Sequence, residues 1–312
     1  MSTNAQAREI DDTLTGAPEA YRTPVMRPTL AEARAWCKSL AETHYENFHV
    51  ATWFLPKRMR PHFQTIYAYC RVSDDLGDEV GDPALSTELL TQWHAMLDEC
   101  YEAPERSRHP VFVALAETVR TCAIPRDPFA NLLIAFMRDQ FVIRHATVAE
   151  LEDYARYSAN PVGRMVLYIA GERDPALHEL SDKICTGLQL ANFWQDVAED
   201  AAAGRIYLPS EEMRRFGVSE EDVTAKRLTP GYTAMMKSLV EYTRGLFAAG
   251  KPLCGRVDGE LAATLGLFIA GGEAILDAIA QQEYNTLERR PVLGKATKAR
   301  LLTRALWNKV RG

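Results

Sequence analysis

The 312-residue sequence has six cysteines, at positions 37, 70, 100, 122, 185 and 254, and no two of them form a Cys-x-x-Cys pair. No histidine pattern accompanies them. This excludes a zinc frame of ordinary ligand spacing, and the wide separations point to reduced, buried thiols in a cytoplasmic protein rather than to disulfides. No apolar segment follows Met1, and the stretch to Ala20 is polar and acidic, so no signal peptide is expected. The longest uncharged stretch, Leu261 to Gly272, falls short of the about 20 apolar residues that a bilayer-spanning helix needs, so a soluble protein is expected. Alternating β-branched runs, repeats of fixed period and low-complexity segments are missing, as is a Gly-rich dinucleotide fingerprint. A net charge of −6 offers no general attraction to nucleic acid, which needs a concentrated cationic face.

What is present is helical. The hydrophobic share of 47% and charged share of 25% suit a globular protein with a sizeable core. Residues 1–27 show little apolar periodicity and read as a mobile tail. Thr29-Leu30-Ala31-Glu32 has the spacing of a capping box, and Thr147-Val148-Ala149-Glu150 looks like a second. Apolar residues recur at helical spacing over about 57–80, 85–101, 109–123, 127–145, 176–202, 231–249 and 257–288. Gly81-Asp82-Pro83, Asn160-Pro161, Gly204 and Thr229-Pro230-Gly231 punctuate them. No linker interrupts the series, so one all-α domain over residues 28–312 is expected.

Two polar clusters stand out against this background. In Ser73-Asp74-Asp75-Leu76-Gly77-Asp78-Glu79, helical geometry places Asp74 and Asp78 four apart and Asp75 and Asp78 three apart, on one face with Tyr67 and Arg71 upstream. In the second, Gln189, Asn192, Asp196 and Asp200 make one stripe flanked by Leu188, Leu190, Phe193, Trp194 and Val197. Such charge and polarity are unfavourable without a relieving cation or ligand. Either cluster alone could be a solvated face. Two of them, built of hard oxygen donors, suit Mg²⁺ and a diphosphate leaving group whose developing charge the cation neutralises.

These pieces resemble the squalene/phytoene synthase family over about His44 to Arg290. The matching strings are Tyr67-x-x-x-Arg71-x-x-Asp74-Asp75-x-x-Asp78, Tyr154-Ala155-Arg156-Tyr157-Ser158-Ala159-Asn160-Pro161-Val162-Gly163, Gln189-x-x-Asn192-x-x-x-Asp196-x-x-Glu199-Asp200, and Gly204-Arg205-Ile206-Tyr207-Leu208-Pro209. Glu46-Asn47-Phe48, Tyr157 to Arg164 and Asn192 to Asp200 look like the hydroxysqualene synthase branch of bacterial hopanoid biosynthesis. The resemblance implies an all-α isoprenoid-synthase bundle with a central cavity. Its substrate would be presqualene diphosphate and its products 12-hydroxysqualene and diphosphate. Asp74, Asp75, Asp78, Asn192, Asp196 and Asp200 would hold Mg²⁺. Arg71, Arg205, Tyr207 and Arg289 would contact diphosphate, with His44, Asn47 and Gln189 nearby, while Tyr67 and Tyr154 would line the reacting centre. The chain departs from many relatives at Asn47 (Ser), Gln195 (Arg), Asn160 (Gly) and Gly272 (Tyr). Asn160 and Gln195 are neutral amides that can hold a water, and Gly272 leaves room for one.

The alternatives are an NADPH-dependent squalene synthase, a phytoene-type condensing enzyme, and a non-catalytic helical assembly factor. The expected reaction uses no NADPH, although the absent dinucleotide fingerprint does not decide this, since squalene synthases lack one too. His44 could face phosphate or pack locally, and Phe193 and Trp194 could face a carbocation or fill the core. From Arg289 to Arg311 eight basic residues and no acidic one alternate with Leu301, Leu302, Leu306, Trp307 and Val310. That pattern suits a basic amphipathic helix over about 295–311, lying on the inner face of the plasma membrane or packed on the protein's outside. Neighbouring enzymes of the same pathway are the protein partners this setting would imply.

Overall fold

Thr29 and Glu32 close the first helix by reciprocal bonds. The Thr29 hydroxyl accepts the Glu32 N–H at 3.3 Å, and the Glu32 carboxylate accepts the Thr29 N–H at 2.9 Å. Thr147 likewise accepts the Glu150 N–H at 3.1 Å, while the Glu150 carboxylate reaches one residue further back, to the Ala146 amide at 2.7 Å. The structure, a computed structural model, describes residues 13–43, 55–297, 299–301 and 303. Among the described residues no β-strand forms, and Arg144 and Ile206 share an isolated parallel bridge. The chain divides into two compact units. One comprises the residues up to Phe141 with Tyr168–Gly171, and the other Val142–Leu167 with the residues from Glu172 on.

The first unit carries α1 (Leu30–Thr43), α2 (Arg60–Asp78), α3 (Pro83–Glu102), α4 (Pro110–Cys122) and α5 (Asp127–Asp139). Prolines sit in the first turns of the last four, where a missing N–H costs nothing. The inner face of α2 is Phe63, Ile66, Tyr69, Ser73 and Leu76. Tyr69 meets Phe129 edge-on with centroids 5.1 Å apart, and Trp93 donates to the Ser73 hydroxyl at 2.9 Å. This fully buried aromatic core fixes the roll of α2 and leaves Tyr67, Arg71, Asp74 and Asp78 on its other side.

The stretch read as a tail is, from residue 13 onward, packed against this unit. Leu14, Ala17, Tyr21 and Thr23 are buried, and the Leu14 amide donates to Gln92 at 2.8 Å. Too few apolar residues recur there for helical periodicity to register them. His109 ties the stretch down. Its Nδ1 accepts the Val111 N–H at 3.2 Å at the start of α4, so its Nε2 carries the hydrogen donated to the Tyr21 carbonyl at 3.1 Å.

Burial pushes the His109 imidazole down to about 3. The folded chain therefore refuses a proton that the unfolded chain accepts near pH 6.5. Stability from this residue is complete above about pH 6.5 and drains as pH falls toward 3, at about 1.4 kcal/mol per pH unit. Thermal midpoints measured from pH 7 to 4.5 are expected to fall more steeply for the wild type than for His109→Gln. Parallel acid limbs would refute this.

The second unit carries α6 (Val148–Ser158), α7 (Asn160–Ala170, whose last three residues belong to the first unit), α8 (Pro175–Gln195), α9 (Val197–Ala202), α10 (Ser210–Arg215), α11 (Glu220–Thr224), α12 (Pro230–Gly250) and α13 (Gly259–Gln281). The break read at Asn160-Pro161 is there: α6 ends at Ser158 and Asn160-Pro161 opens α7. The segment read as 127–145 ends at Asp139, and that read as 176–202 pauses at Asp196, whose backbone departs from helical geometry. α8 packs on α12 and α13. Trp194, fully buried, donates to the Thr243 hydroxyl at 2.8 Å, which assigns it to the core. A Cβ at Gly163 would lie 2.4 Å from the Cys185 sulfur, so only glycine lets α7 approach α8 this closely.

α13 is long and apolar enough, by length and composition, to cross a membrane. An uncharged-run criterion misses this, because Glu273 and Asp277 interrupt the run. Of its most apolar window, 44% is buried within the protein, and Arg244 of α12 pairs with Asp277 at 2.7 Å.

Candidate functional site

On α2 the two faces hold their acids differently. Asp74 is half-buried and Asp78 exposed, four residues apart on the outer side. Burial and then the Asp78 charge push the Asp74 carboxyl up to about 6. Asp75 is only 1% exposed and points elsewhere. Its carboxylate accepts from the Tyr21 hydroxyl and from Arg71, whose Nε lies 3.0 Å from Oδ2. Of the oxygens expected to ligate a cation, Oδ2 is thus engaged by two protein donors and Oδ1 is ion-paired with the Arg71 guanidinium. A three-residue turn separates Asp75 from Asp78 by only 60°, and the buried aromatic face lies on Asp75's side. Arg71 also reaches Asp74 at 3.5 Å and Glu79 at 2.8 Å. Tyr67 lies half-buried one turn before Arg71.

On α8 and α9, Gln189 is half-buried and Asn192 exposed, followed by half-buried Asp196 and Asp200. The Asp200 amide still donates to the Asp196 carbonyl at 2.9 Å, so the stripe survives the pause in the helix. Burial and then Asp196 push the Asp200 carboxyl up to about 6. Asp196 is gripped by Arg290, with Nε 2.5 Å from Oδ1 and Nη2 3.2 Å from Oδ2, and Glu199 lies 3.4 Å from the same guanidinium. Arg290 was not singled out in the sequence, where its neighbour Arg289 was. Arg289 instead lies 3.4 Å from the Gln282 side chain. The Arg289-Arg290 doublet was the available signal, and spacing alone does not say which member turns inward.

Gln195 is buried and its amide donates to the Pro291 carbonyl at 2.6 Å, which anchors the segment that carries Arg290. Asn160 is buried too, and its carbonyl accepts from Thr186 at 3.0 Å. Each amide thus carries a structural bond on one of its two polar atoms. The space expected at Gly272 is filled as well: a Cβ there would lie 2.4 Å from the Phe247 ring. The Phe247 ring covers the space directly over the Gly272 Cα.

A narrow crevice beside this stripe is lined by Phe193, Asp200, Arg205, Ile206, Tyr207 and Leu208 among others. Phe193 and Tyr207 stack at 4.0 Å with an interplanar angle of 12°. Tyr154 packs against both, at 5.7 and 6.3 Å. His145, which sequence reading passed over, stacks on Tyr207 at 5.9 Å, and its buried Nε2 has no hydrogen-bond partner among the described residues. Arg144 holds the loop by donating to the Gly204 carbonyl at 2.9 Å and pairing with Glu220. An apolar, π-rich wall beside a carboxylate and a guanidinium suits an oily cation next to an anionic leaving group. His44 and Asn47 lie outside the described residues, as does most of the basic C-terminal segment.

The donor sets fit Mg²⁺. Among the described residues no three His, Cys, Asp or Glu side chains converge into a closed metal cage. Two carboxylate pairs, each with one carboxyl raised by burial and its partner, suit a cation that keeps several waters and bridges to phosphate. Asp74 and Asp78 would serve in one unit, and Asn192, Asp196 and Asp200 in the other.

Residues 41–297 match the family described as squalene/phytoene synthase. The phytoene synthase of Thermus thermophilus is 33% identical over 263 residues, covering 84% of this chain and 88% of that one. Among solved structures, the squalene synthase HpnC of Alicyclobacillus acidocaldarius is 39% identical with a TM-score of 0.78, covering 88% of this chain and 99% of its own. A dehydrosqualene synthase crystallised with a ligand is 25% identical with a TM-score of 0.81, covering 91% and 98%.

Proposed function

Because the chain belongs to the squalene/phytoene synthase family and has its all-α isoprenoid synthase fold, we propose that it is a hydroxysqualene synthase, converting presqualene diphosphate and water to 12-hydroxysqualene and diphosphate. The family is typically Mg²⁺-dependent and implies an isoprenoid diphosphate substrate. The observation that carries the diphosphate chemistry is the pair of carboxylate couples, Asp74 with Asp78 and Asp196 with Asp200, each raising one of its members. Branch-level support comes from the strings Tyr157 to Arg164 and Asn192 to Asp200, while the 39% identity to the squalene synthase HpnC supports the squalene side of the family.

Mg²⁺, when bound, supplies positive charge against the departing diphosphate. Arg205, which lines the crevice with Asp200, binds the same anion. The substrate's C–O bond breaks, and the cyclopropylcarbinyl cation rearranges against Tyr154, Phe193 and Tyr207. These rings offer π faces and little that is nucleophilic, which delays quenching until rearrangement is complete. A water oxygen then forms the new C–O bond and loses a proton. No hydride donor takes part.

A second reading, direct head-to-head condensation of prenyl diphosphates, is favoured by the likeness to the Thermus phytoene synthase. One set of incubations decides between them. With presqualene diphosphate in ¹⁸O-water and no NADPH, labelled 12-hydroxysqualene is expected. Squalene appearing only with NADPH, or condensation of farnesyl or geranylgeranyl diphosphate as the sole activity, would overturn this reading at the branch level.

A further inference from the structure

Tyr21 belongs to a stretch outside the family match, yet it ends against the acidic motif of α2. It closes a short 3₁₀ turn, Glu19–Tyr21, and is 5% exposed. Three contacts fix it. Its carbonyl accepts from His109, its ring meets Trp36 edge-on at 6.4 Å, and its hydroxyl donates to Asp75 Oδ2. Burial and the Asp75 charge hold the phenol well above its ordinary range, so it stays a donor at any working pH.

We propose that Tyr21 is a positioning residue for the cation site on α2, holding Asp75 so that Asp75 keeps Arg71 away from Asp74. This rests on the reading of Asp74 and Asp78 as cation ligands. Arg71 stands between two carboxylates and cannot serve both fully. Its Nε is 3.0 Å from Asp75 and its Nη2 pairs with the other Asp75 oxygen, whereas its Nη1 is 3.5 Å from Asp74. The balance leans toward Asp75 because the hydroxyl of Tyr21 fixes that carboxylate where Arg71 can grip it with both arms. Without the hydroxyl, a carboxylate 1% exposed loses one of its donors and its fixed orientation. Arg71 is then free to lean on Asp74, where it competes with a divalent cation for the same oxygens. Residues that orient ligands from behind in this way typically change metal affinity by about 10–100-fold when removed.

The test uses the full chain and Mn²⁺ as the probe, with bound ion measured from the loss of the free Mn²⁺ resonance in the absence of substrate. An Asp196→Ala background confines the signal to the α2 pair. Tyr21→Phe, which keeps the ring packing, is expected to weaken Mn²⁺ binding about tenfold with little change in thermal midpoint. Asp75→Asn is expected to weaken it similarly, and the double variant no further, since both act through Arg71. Equal affinity in Tyr21→Phe and its parent would overturn the proposal alone, as would fully additive losses. A loss that tracks a fall in thermal midpoint would reduce Tyr21 to packing and overturn it as well. If the parent binds no Mn²⁺ while Asp74→Ala behaves identically, the cation reading of α2 falls, and this proposal with it.

Discussion

Asp74→Ala and Asp196→Ala are each expected to lower turnover by about a thousandfold or more while leaving helical content intact. Removing one carboxylate from a metal-assisted ionisation forfeits several kcal/mol of charge stabilisation, and about 4 kcal/mol corresponds to three decades in rate. Each of these aspartates belongs to a couple in which its neighbour's carboxyl or its own is already pushed up to about 6. That sets the pH dependence of the metal requirement. Below about pH 6, Asp74 and Asp200 hold protons that a cation must displace, so metal affinity falls with acid. The Mg²⁺ concentration for half-maximal turnover should be flat above about pH 7 and climb steadily from 6.5 to 5. Asp75→Ala should behave differently, because Asp75 is bonded to Tyr21 and Arg71. Its loss should cost metal affinity before it costs turnover at saturating Mg²⁺. Turnover in a chelator, or an activity in Asp196→Ala within tenfold of wild type, would defeat the metal-dependent reading.

The contrast between Asp74 and Asp75 shows what sequence could and could not supply. Spacing placed Asp74, Asp75 and Asp78 on adjacent strips of one helix, which is all that a 3.6-residue period contains. Which strip faces the core depends on Tyr69, Trp93 and Phe129 meeting across three helices, and that is tertiary information. The capping boxes at Thr29 and Thr147 were legible because donor and acceptor lie three residues apart. Asn160-Pro161 was legible as a break between helices, since proline at a first helical turn costs no hydrogen bond, and one helix ends at Ser158 while the next begins at Asn160. Residues 13–27, by contrast, were illegible. Tyr21 is held by Trp36, Asp75 and His109, and Leu14 by Gln92, all far from them in sequence, so no local period betrays them. Arg290, His145 and Phe247 carry no motif at all, and the first two take their roles from partners far along the chain, Asp196 and Tyr207.

Gly272→Tyr is expected to be among the most damaging single changes in the chain. The position lies in α13, and a Cβ there would already sit 2.4 Å from Phe247 Cζ and 3.0 Å from a Leu188 methyl. The ring cannot retreat. Phe247 is fully buried, and on its other edge a Cβ at Gly187 would be 2.9 Å from Cε1, so two glycines grip one phenyl from α8 and α13. Gly272→Ala alone should cost about 1–3 kcal/mol, the usual range for overpacking a filled core. A tyrosine needs the whole volume that Phe247 holds, so Gly272→Tyr should lower the thermal midpoint further still or prevent folding. Phe247→Ala should also destabilise, by about 3–5 kcal/mol, through the cavity it opens. The two together are expected to be more stable than either alone, because one ring replaces the other. That sign reversal separates a volume exchange from general fragility of the region, which would make the losses add. It also bears on the chemistry. Because the Phe247 ring covers Gly272, the water that ends the reaction is expected not to be stored directly over that residue. The Gly272→Ala variant, where it folds, should then form the same labelled alcohol as the wild type. A shift of product from alcohol to hydrocarbon in that variant would return the water to Gly272.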